Sequence, residues 1–269
     1  LIDLMNLFSL DGKVALVTGG GRGIGRGIAE ALAGHGAHVI CAARTLDQIQ
    51  ETAAAINQSG GSACALQLDL GDINSFDAAL SRIQEKHGGL DILVNNAGVN
   101  ARQPLSSVTE ENYDRIMNIN LKGVYFLTQK AVEYMRKRGG GKVINIGSLT
   151  TGYALSQVSV YTATKGAIGQ LTKSQAIEVG KYNIQVNAIC PGFVVTPLTE
   201  PIWNDAGMRE WGEKRIAAGR LATPEDMGGP AVFLASAASN YVSGQCIYVD
   251  GGFMAGDWWP LPEAASVSK

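Results

Sequence analysis

Residues 13–18, KVALVT, form a short apolar, β-branched run that suits a buried strand. They feed without a spacer into GGGRGIG at 19–25, and RGIAEALAGHG follows with Ile28, Leu32 and neighbouring alanines at helical spacing. This order of strand, glycine turn and helix narrows the possible folds more than any other part of the chain. Some of the glycines permit a tight turn at positive φ, and others let a helix or a pyrophosphate approach the backbone. The helix that follows offers free N–H groups and a partial positive charge at its N-terminus, where phosphates bind. The plainer alternative is a loop that needs only flexibility.

Further strand-like runs recur at residues 37–43, 62–68, 91–96, 142–147, 184–189 and 245–249, which with the first makes seven. Helical periodicity fills stretches between them, among them 46–59, 73–87, 111–138 and 158–181. Repeating βα units predict an α/β chain, a single-domain Rossmann fold with a doubly wound seven-stranded parallel sheet and helices on both faces. No glycine- or proline-rich linker divides the chain, so residues 1–269 read as one domain. Two stretches are irregular. Residues 193–220 hold Pro197, Pro201, Trp203, Gly207, Trp211 and Gly219, and serve either as a lid over substrate or as a cover for core. The tail, 253–269, carries Trp258, Trp259 and Pro260 and is expected to pack on a neighbouring subunit.

The net charge of −2, with no basic run, argues against nucleic acid as a partner. Cys41, Cys64, Cys190 and Cys246 are scattered without a C-x-x-C or a His–Cys cluster, so free thiols, buried at Cys41, Cys190 and Cys246, are expected. The three histidines lack ligand spacing, and no metal is expected. No apolar run reaches the ~18 residues of a membrane span, and the first residues show no secretory signal, so a cytoplasmic protein is expected.

Tyr161 and Lys165 stand four residues apart in YTATK, and Ser148 lies thirteen residues before Tyr161. On a helix, positions i and i+4 share a face. A free phenol titrates near 10, and a neighbouring ammonium favours its ionised form. The pattern therefore describes a proton donor and acceptor with a second hydroxyl beside it, although the spacing also suits an ordinary pair on a helix surface.

Together these segments resemble the short-chain dehydrogenase/reductase family. The resemblance rests on TGGGRGIG (Thr18, Gly19, Gly23, Gly25), whose spacing differs from the commoner G-x-G-x-x-G, on NNAG at 95–98, and on Ser148, Tyr161 and Lys165, all in the family's order over about residues 10–252. It implies a fourth catalytic residue, Asn120, holding a water behind Lys165. It also implies hydride transfer at nicotinamide, with Ser148 and Tyr161 on the substrate oxygen and Lys165 on the nicotinamide ribose. Gly19, Gly21, Arg22, Gly23, Ile24 and Gly25 would surround the pyrophosphate. Asp69 and Leu70 would meet the adenine, and Asn96, Ala97 and Gly98 the adenosine ribose. Pro191, Gly192, Val194 and Thr196 would follow the nicotinamide. The second strand ends Ala42, Ala43, Arg44 without the acidic residue that usually holds a ribose 2′-hydroxyl. Arg44 with Arg22 suits a 2′-phosphate, so NADP(H) is expected; NAD(H) is the alternative, with Arg44 stacked on adenine. Family members are most often homotetramers or homodimers, here through the helices at 111–138 and 158–181.

For substrate, NNAGVNARQP resembles the corresponding segment of gluconate and deoxygluconate dehydrogenases, whose arginine near this point grips a sugar-acid carboxylate; Arg102 would do so here. Asn100, Arg102, Leu149, Thr150, Tyr153, Leu155 and Trp203 are the candidate pocket, joined by Gly192 and Met208. Leu149, Tyr153, Leu155 and Trp203 alone would favour an apolar ketone, and Arg102 also suits a solvated or interface position. The activities left open are a carbonyl reductase, a polyol or sugar-acid dehydrogenase, a 3-oxoacyl carrier-protein reductase and, from another class, a non-catalytic NADP-sensing protein.

Overall fold

The structure, a computed structural model, describes residues 6–257 and 259. Seven parallel strands alternate with helices: β1 (Val14–Thr18), α1 (Gly23–Gly34), β2 (His38–Ala43), α2 (Leu46–Gln58), β3 (Ser62–Gln67), α3 (Phe76–His87), β4 (Ile92–Asn95), α4 (Glu110–Met117), α5 (Val124–Lys137), β5 (Gly141–Ile146), α6 (Ser159–Val179), β6 (Ile184–Pro191), α7 (Glu200–Trp203), α8 (Ala206–Arg215), α9 (Gly228–Ala235) and β7 (Cys246–Val249). The sheet order is β3-β2-β1-β4-β5-β6-β7, so the order reverses between β1 and β4. A crevice opens at such a switch point, beyond the carboxyl ends of the strands.

Alternation along the strands sorts the core into two layers. Ala15, Val17, Val39 and Cys41 face α1, α2 and α9, whereas Leu16, Ile40 and Leu93 face α3 and α5. Both faces are covered, which is why the strands read as continuous apolar runs. A third cluster, Leu149, Trp203, Ile216, Leu221 and Phe253, lies under the segment around α7 and α8.

All seven expected strands form, with small changes at their ends. The sixth extends past residue 189 because Cys190 and Pro191 continue to pair with Tyr248 and Val249 of β7. The expected helix at 111–138 is interrupted: α4 and α5 are joined by a π-helical segment, Asn118–Gly123. The stretch expected at 73–87 opens with a 3₁₀ turn at Ile73–Ser75, capped by the Asp72 side chain. In the tail, Trp258 and Pro260 lie outside the described residues, and Trp259 is exposed.

Among the described residues, no helix is long and apolar enough to cross a membrane. The expectation that no histidines and cysteines gather is corrected: His38, Cys64 and His87 meet at one place, brought together from β2, β3 and the end of α3, which sequence spacing does not reveal.

Asp91 anchors the amino ends of β1 and β4. Its carboxylate accepts from the Val14 backbone N–H at 2.9 Å and from Arg138 Nε and Nη2, both at 3.0 Å. The residue is buried, so removing the carboxylate leaves a guanidinium and an amide without their partner. Asp91→Ala is expected to lower stability by about 2–4 kcal/mol in urea unfolding; a change below about 0.5 kcal/mol would show that water substitutes for the carboxylate.

Candidate active site

One cleft of about 970 Å³ runs along the carboxyl edge of the sheet, from Arg44 at the end of β2 to Trp203 and Trp211 in the segment after β6. That is the upper end of the range for small-molecule sites, large enough for an extended ligand and a small second molecule together.

The glycine turn forms one end. Gly19 has φ +66°, a conformation that few side chains tolerate. At Gly25 a Cβ would collide with the Gly19 carbonyl oxygen, so α1 starts hard against the turn. Arg22 precedes α1, and no side chain caps the helix's first N–H groups. They face the cleft with the partial positive charge of the helix end. Arg22 and Arg44 are exposed at this end, and neither has an acidic partner in the ion pairs of the described residues. Uncapped donors, two unpaired guanidinium groups and a turn without side chains together fit an elongated anionic ligand.

Asn96 locks the turn to β4, its Nδ2 donating to the carbonyl oxygens of Thr18 at 2.9 Å and Gly19 at 3.2 Å. Asp69 Oδ1 accepts from Gly71 N at 2.8 Å while the residue lines the cleft. Leu70, Ala97, Gly98, Pro191, Gly192, Val194 and Thr196 line it as well, as does every other residue expected to hold cofactor.

The expected catalytic residues Ser148, Tyr161 and Lys165 gather in the middle of the cleft, from the turn after β5 and the first turns of α6. Lys165 is buried and donates to the Ile146 carbonyl oxygen at 2.6 Å. Its ammonium lies 5.5 Å from the centre of the Tyr161 ring. Burial pushes the Lys165 ammonium down to about 8. The expectation that Lys165 brings the Tyr161 phenol down is corrected. Burial dominates and raises the phenol, while the Ser148 hydroxyl and then the Arg102 guanidinium pull it back.

Asn120 sits in the π-helical segment and is buried. Its Oδ1 accepts from Val99 N and its Nδ2 donates to Val99 O, both at 2.8 Å, with a longer bond to Thr164 Oγ1 at 3.4 Å. It therefore fixes the loop after NNAG to α6, a role for which Val99 carried no signal because only its backbone takes part.

Among the candidate substrate residues, Asn100, Arg102, Leu149, Thr150, Leu155 and Trp203 line the cleft. Asn100 Oδ1 and Thr150 Oγ1 have no hydrogen-bond partner, but both atoms are buried and neither is exposed to the cleft. Tyr153 is a correction. It packs edge-on against Phe253, ring centres 5.6 Å apart, and does not line the cleft. The segment after β6 covers an apolar cluster and runs beside the cleft. Trp203 is buried in the third apolar cluster and also borders the cleft, and Phe193 packs on it at 5.2 Å between ring centres. Arg115, which also lines the cleft, escaped sequence reading because it reaches it from α4, far from any motif.

The family model described as Enoyl-(Acyl carrier protein) reductase matches residues 19–254. A 2-dehydro-3-deoxy-D-gluconate 5-dehydrogenase of Bacillus subtilis is 45% identical over 252 residues, covering 94% of this chain and 98% of its own. The chain belongs to the short-chain dehydrogenase/reductase family. A second family member, a galactitol 2-dehydrogenase of Agrobacterium fabrum, is 43% identical, covering 90% of this chain and 98% of its own. Among solved structures of the family, a gluconate 5-dehydrogenase from Burkholderia cenocepacia in complex with NADP and tartrate superposes with a TM-score of 0.90, at 37% identity, covering 94% of this chain and 99% of that one.

The lowered Lys165 pKa has a sign that can be tested. Between about 8 and the ordinary lysine value of 10.5 the unfolded chain holds a proton at this position that the folded chain has released. This group's contribution to stability therefore rises with pH across that window. Lys165→Met removes the titration, so its stability relative to the parent chain is expected to be more favourable at pH 7 than at pH 10 in denaturant unfolding of the ligand-free protein. A difference independent of pH would show that the ammonium is not desolvated.

Proposed function

We propose that this chain is an NADP(H)-dependent oxidoreductase that interconverts a secondary alcohol and a ketone on a polyhydroxy acid of the gluconate type. The observation that carries the substrate reading is Arg102. Its guanidinium lines the cleft, has no acidic partner among the described residues, and lies close enough to Tyr161 for each to affect the other's ionisation. A carboxylate held by Arg102 would set the carbon chain of a sugar acid beside the phenol. The B. subtilis relative named for a deoxygluconate and the NADP- and tartrate-bound neighbour named for gluconate agree with this reading.

NADP(H) would lie with its pyrophosphate on the glycine turn and the first turn of α1, and its 2′-phosphate between Arg22 and Arg44. Asp69 and Leu70 would hold the adenine, Asn96, Ala97 and Gly98 the ribose, and Pro191, Gly192, Val194 and Thr196 the nicotinamide end. When bound it supplies the hydride donor or acceptor. The protein's own groups do the rest. Ser148 and Tyr161 hydrogen-bond the substrate oxygen, Tyr161 gives or takes its proton, and Lys165 supplies positive charge behind the phenol. Asn120 keeps α6 and the Val99 loop in register, and a water held at this position would pass protons to Lys165. Lys165 would also bond the nicotinamide ribose.

Tyr161→Phe is expected to lower kcat by ~10²–10⁴ while NADPH still binds, as judged by quenching of tryptophan fluorescence. Near-normal turnover would remove Tyr161 from the reaction, and the absence of turnover in the parent chain with every acid or ketone tried would favour the NADP-sensing reading. Arg102→Ala is expected to lower kcat/KM for the sugar acid by about 10–100-fold, the worth of a charge-assisted pair, with little change for a neutral polyol. An equal loss on both would end the carboxylate assignment.

A second reading, an apolar ketone, is favoured by the wall formed by Leu149, Leu155, Phe193 and Trp203, whereas the galactitol 2-dehydrogenase relative would fit a neutral polyol instead. Tyr125 on α5 and Ile177 on α6 are exposed apolar side chains; we infer that these helices pair with other copies, as a homotetramer or homodimer.

A further inference from the structure

At the end of the sheet opposite the cleft, three side chains that the reaction does not use point their ligand atoms at one another. His38 begins β2, Cys64 lies in the edge strand β3, and His87 ends α3. Cys64 Sγ is 3.6 Å from His38 Nε2 and 3.8 Å from His87 Nε2, and the three ligand atoms lie within 4.8 Å of one another. The two imidazole rings stack with centres 4.5 Å apart and planes 27° apart, so both present the same ring edge to the sulfur. We propose that His38, Cys64 and His87 form a binding site for a divalent metal ion of the zinc class.

The two nitrogen–sulfur distances, 3.6 and 3.8 Å, are close to those the ion would need. With Zn–N near 2.0–2.1 Å and Zn–S near 2.3 Å, a tetrahedral angle places nitrogen and sulfur about 3.6 Å apart. Two imidazoles and a thiolate are a donor set that zinc accepts, and a hard cation such as magnesium does not. The outer ring nitrogen of His38 is already engaged, Nδ1 with Ser62 Oγ at 2.7 Å. A hydrogen bond at that position orients a ligating imidazole and leaves Nε2 to the metal. All three residues are half-buried, so the ion has a way in and its ligands are shielded on one side. The group holds three protein ligands, so water would complete the tetrahedron.

The placement suggests what the ion does. His38 pairs in register with Ser62 across β2 and β3, and Cys64 sits two residues along the edge strand. An ion held here ties that edge to β2 and to the last turn of α3, three elements otherwise joined by strand pairing and apolar packing. Ala43, which borders the cleft, lies at the far end of β2. Five residue steps along the strand separate it from His38, about 16 Å, so the site adds rigidity without entering the reaction.

The test uses the full chain without an affinity tag, reduced and stripped with a chelator. Zn²⁺ titrated by calorimetry is expected to bind at one equivalent, and His87→Ala and Cys64→Ser are each expected to weaken that binding by at least tenfold. His35→Ala, an exposed histidine elsewhere, is expected to bind as the parent does. The parent chain also gives a readout that needs no variant. Peptide mapping after iodoacetamide treatment should show Cys64 alkylated at least tenfold more slowly with Zn²⁺ than without. Turnover with NADPH should be the same for stripped and loaded protein. Failure of the parent chain to take up one equivalent, unchanged binding by Cys64→Ser, or alkylation of Cys64 at the same rate with and without Zn²⁺ would each overturn the proposal.

Discussion

The hydroxyl of Thr18 ties together the two loops on which the cleft depends. It donates to the Val94 carbonyl oxygen at 3.1 Å and accepts from the backbone N–H groups of Asn96 and Ala97 at 3.0 and 3.1 Å. β1 and β4 are neighbours at the point where strand order reverses. There the chain leaves both strands in the same direction, and their carboxyl ends would otherwise expose unpaired backbone groups. One side chain satisfies three of these groups and sets the distance between the glycine turn and the NNAG segment. Asn96 completes the join from the other side.

A chain of buried amides and hydroxyls carries the same constraint across the sheet to the reactive end. Asn95 on β4 donates to Thr128 on α5 and to Asn145 on β5, each at 2.9 Å, and Asn145 donates to Thr172 on α6 at 3.0 Å. Such groups are costly to bury unless paired. Their pairing fixes α6 against the sheet, and α6 carries Tyr161 and Lys165. The Lys165 ammonium then reaches back to Ile146 at the end of β5. Lys165 is therefore held by a bond to a strand end, while Tyr161 is held against the Ser148 hydroxyl.

Much of this was legible in the residues. All seven strands and the glycine turn could be read, because buried parallel strands leave continuous apolar runs and the turn needs glycine at defined points. The interruption between α4 and α5 was not legible. Residues 111–138 keep helical periodicity through the π-helical segment, and the local widening is set by Asn120 reaching Val99. Tyr153 was expected in the substrate pocket, but the turn after Ser148 directs it to Phe253 instead. The ionisation of Tyr161 went the same way: spacing named its neighbour, but only burial settled which effect prevails.

The sequence by itself determined the sheet and the glycine turn and singled out Ser148, Tyr161 and Lys165, because each depends on local periodicity or on a residue type that no other can replace. It determined the family for the same reason. Tertiary structure decided which of the scattered residues meet. Arg115 enters the cleft from α4, Trp203 closes it while anchoring an apolar cluster, and His38, Cys64 and His87 converge at the far end of the sheet. Such meetings follow from strand order and helix direction, and those are set by packing of the whole chain rather than by any stretch of it.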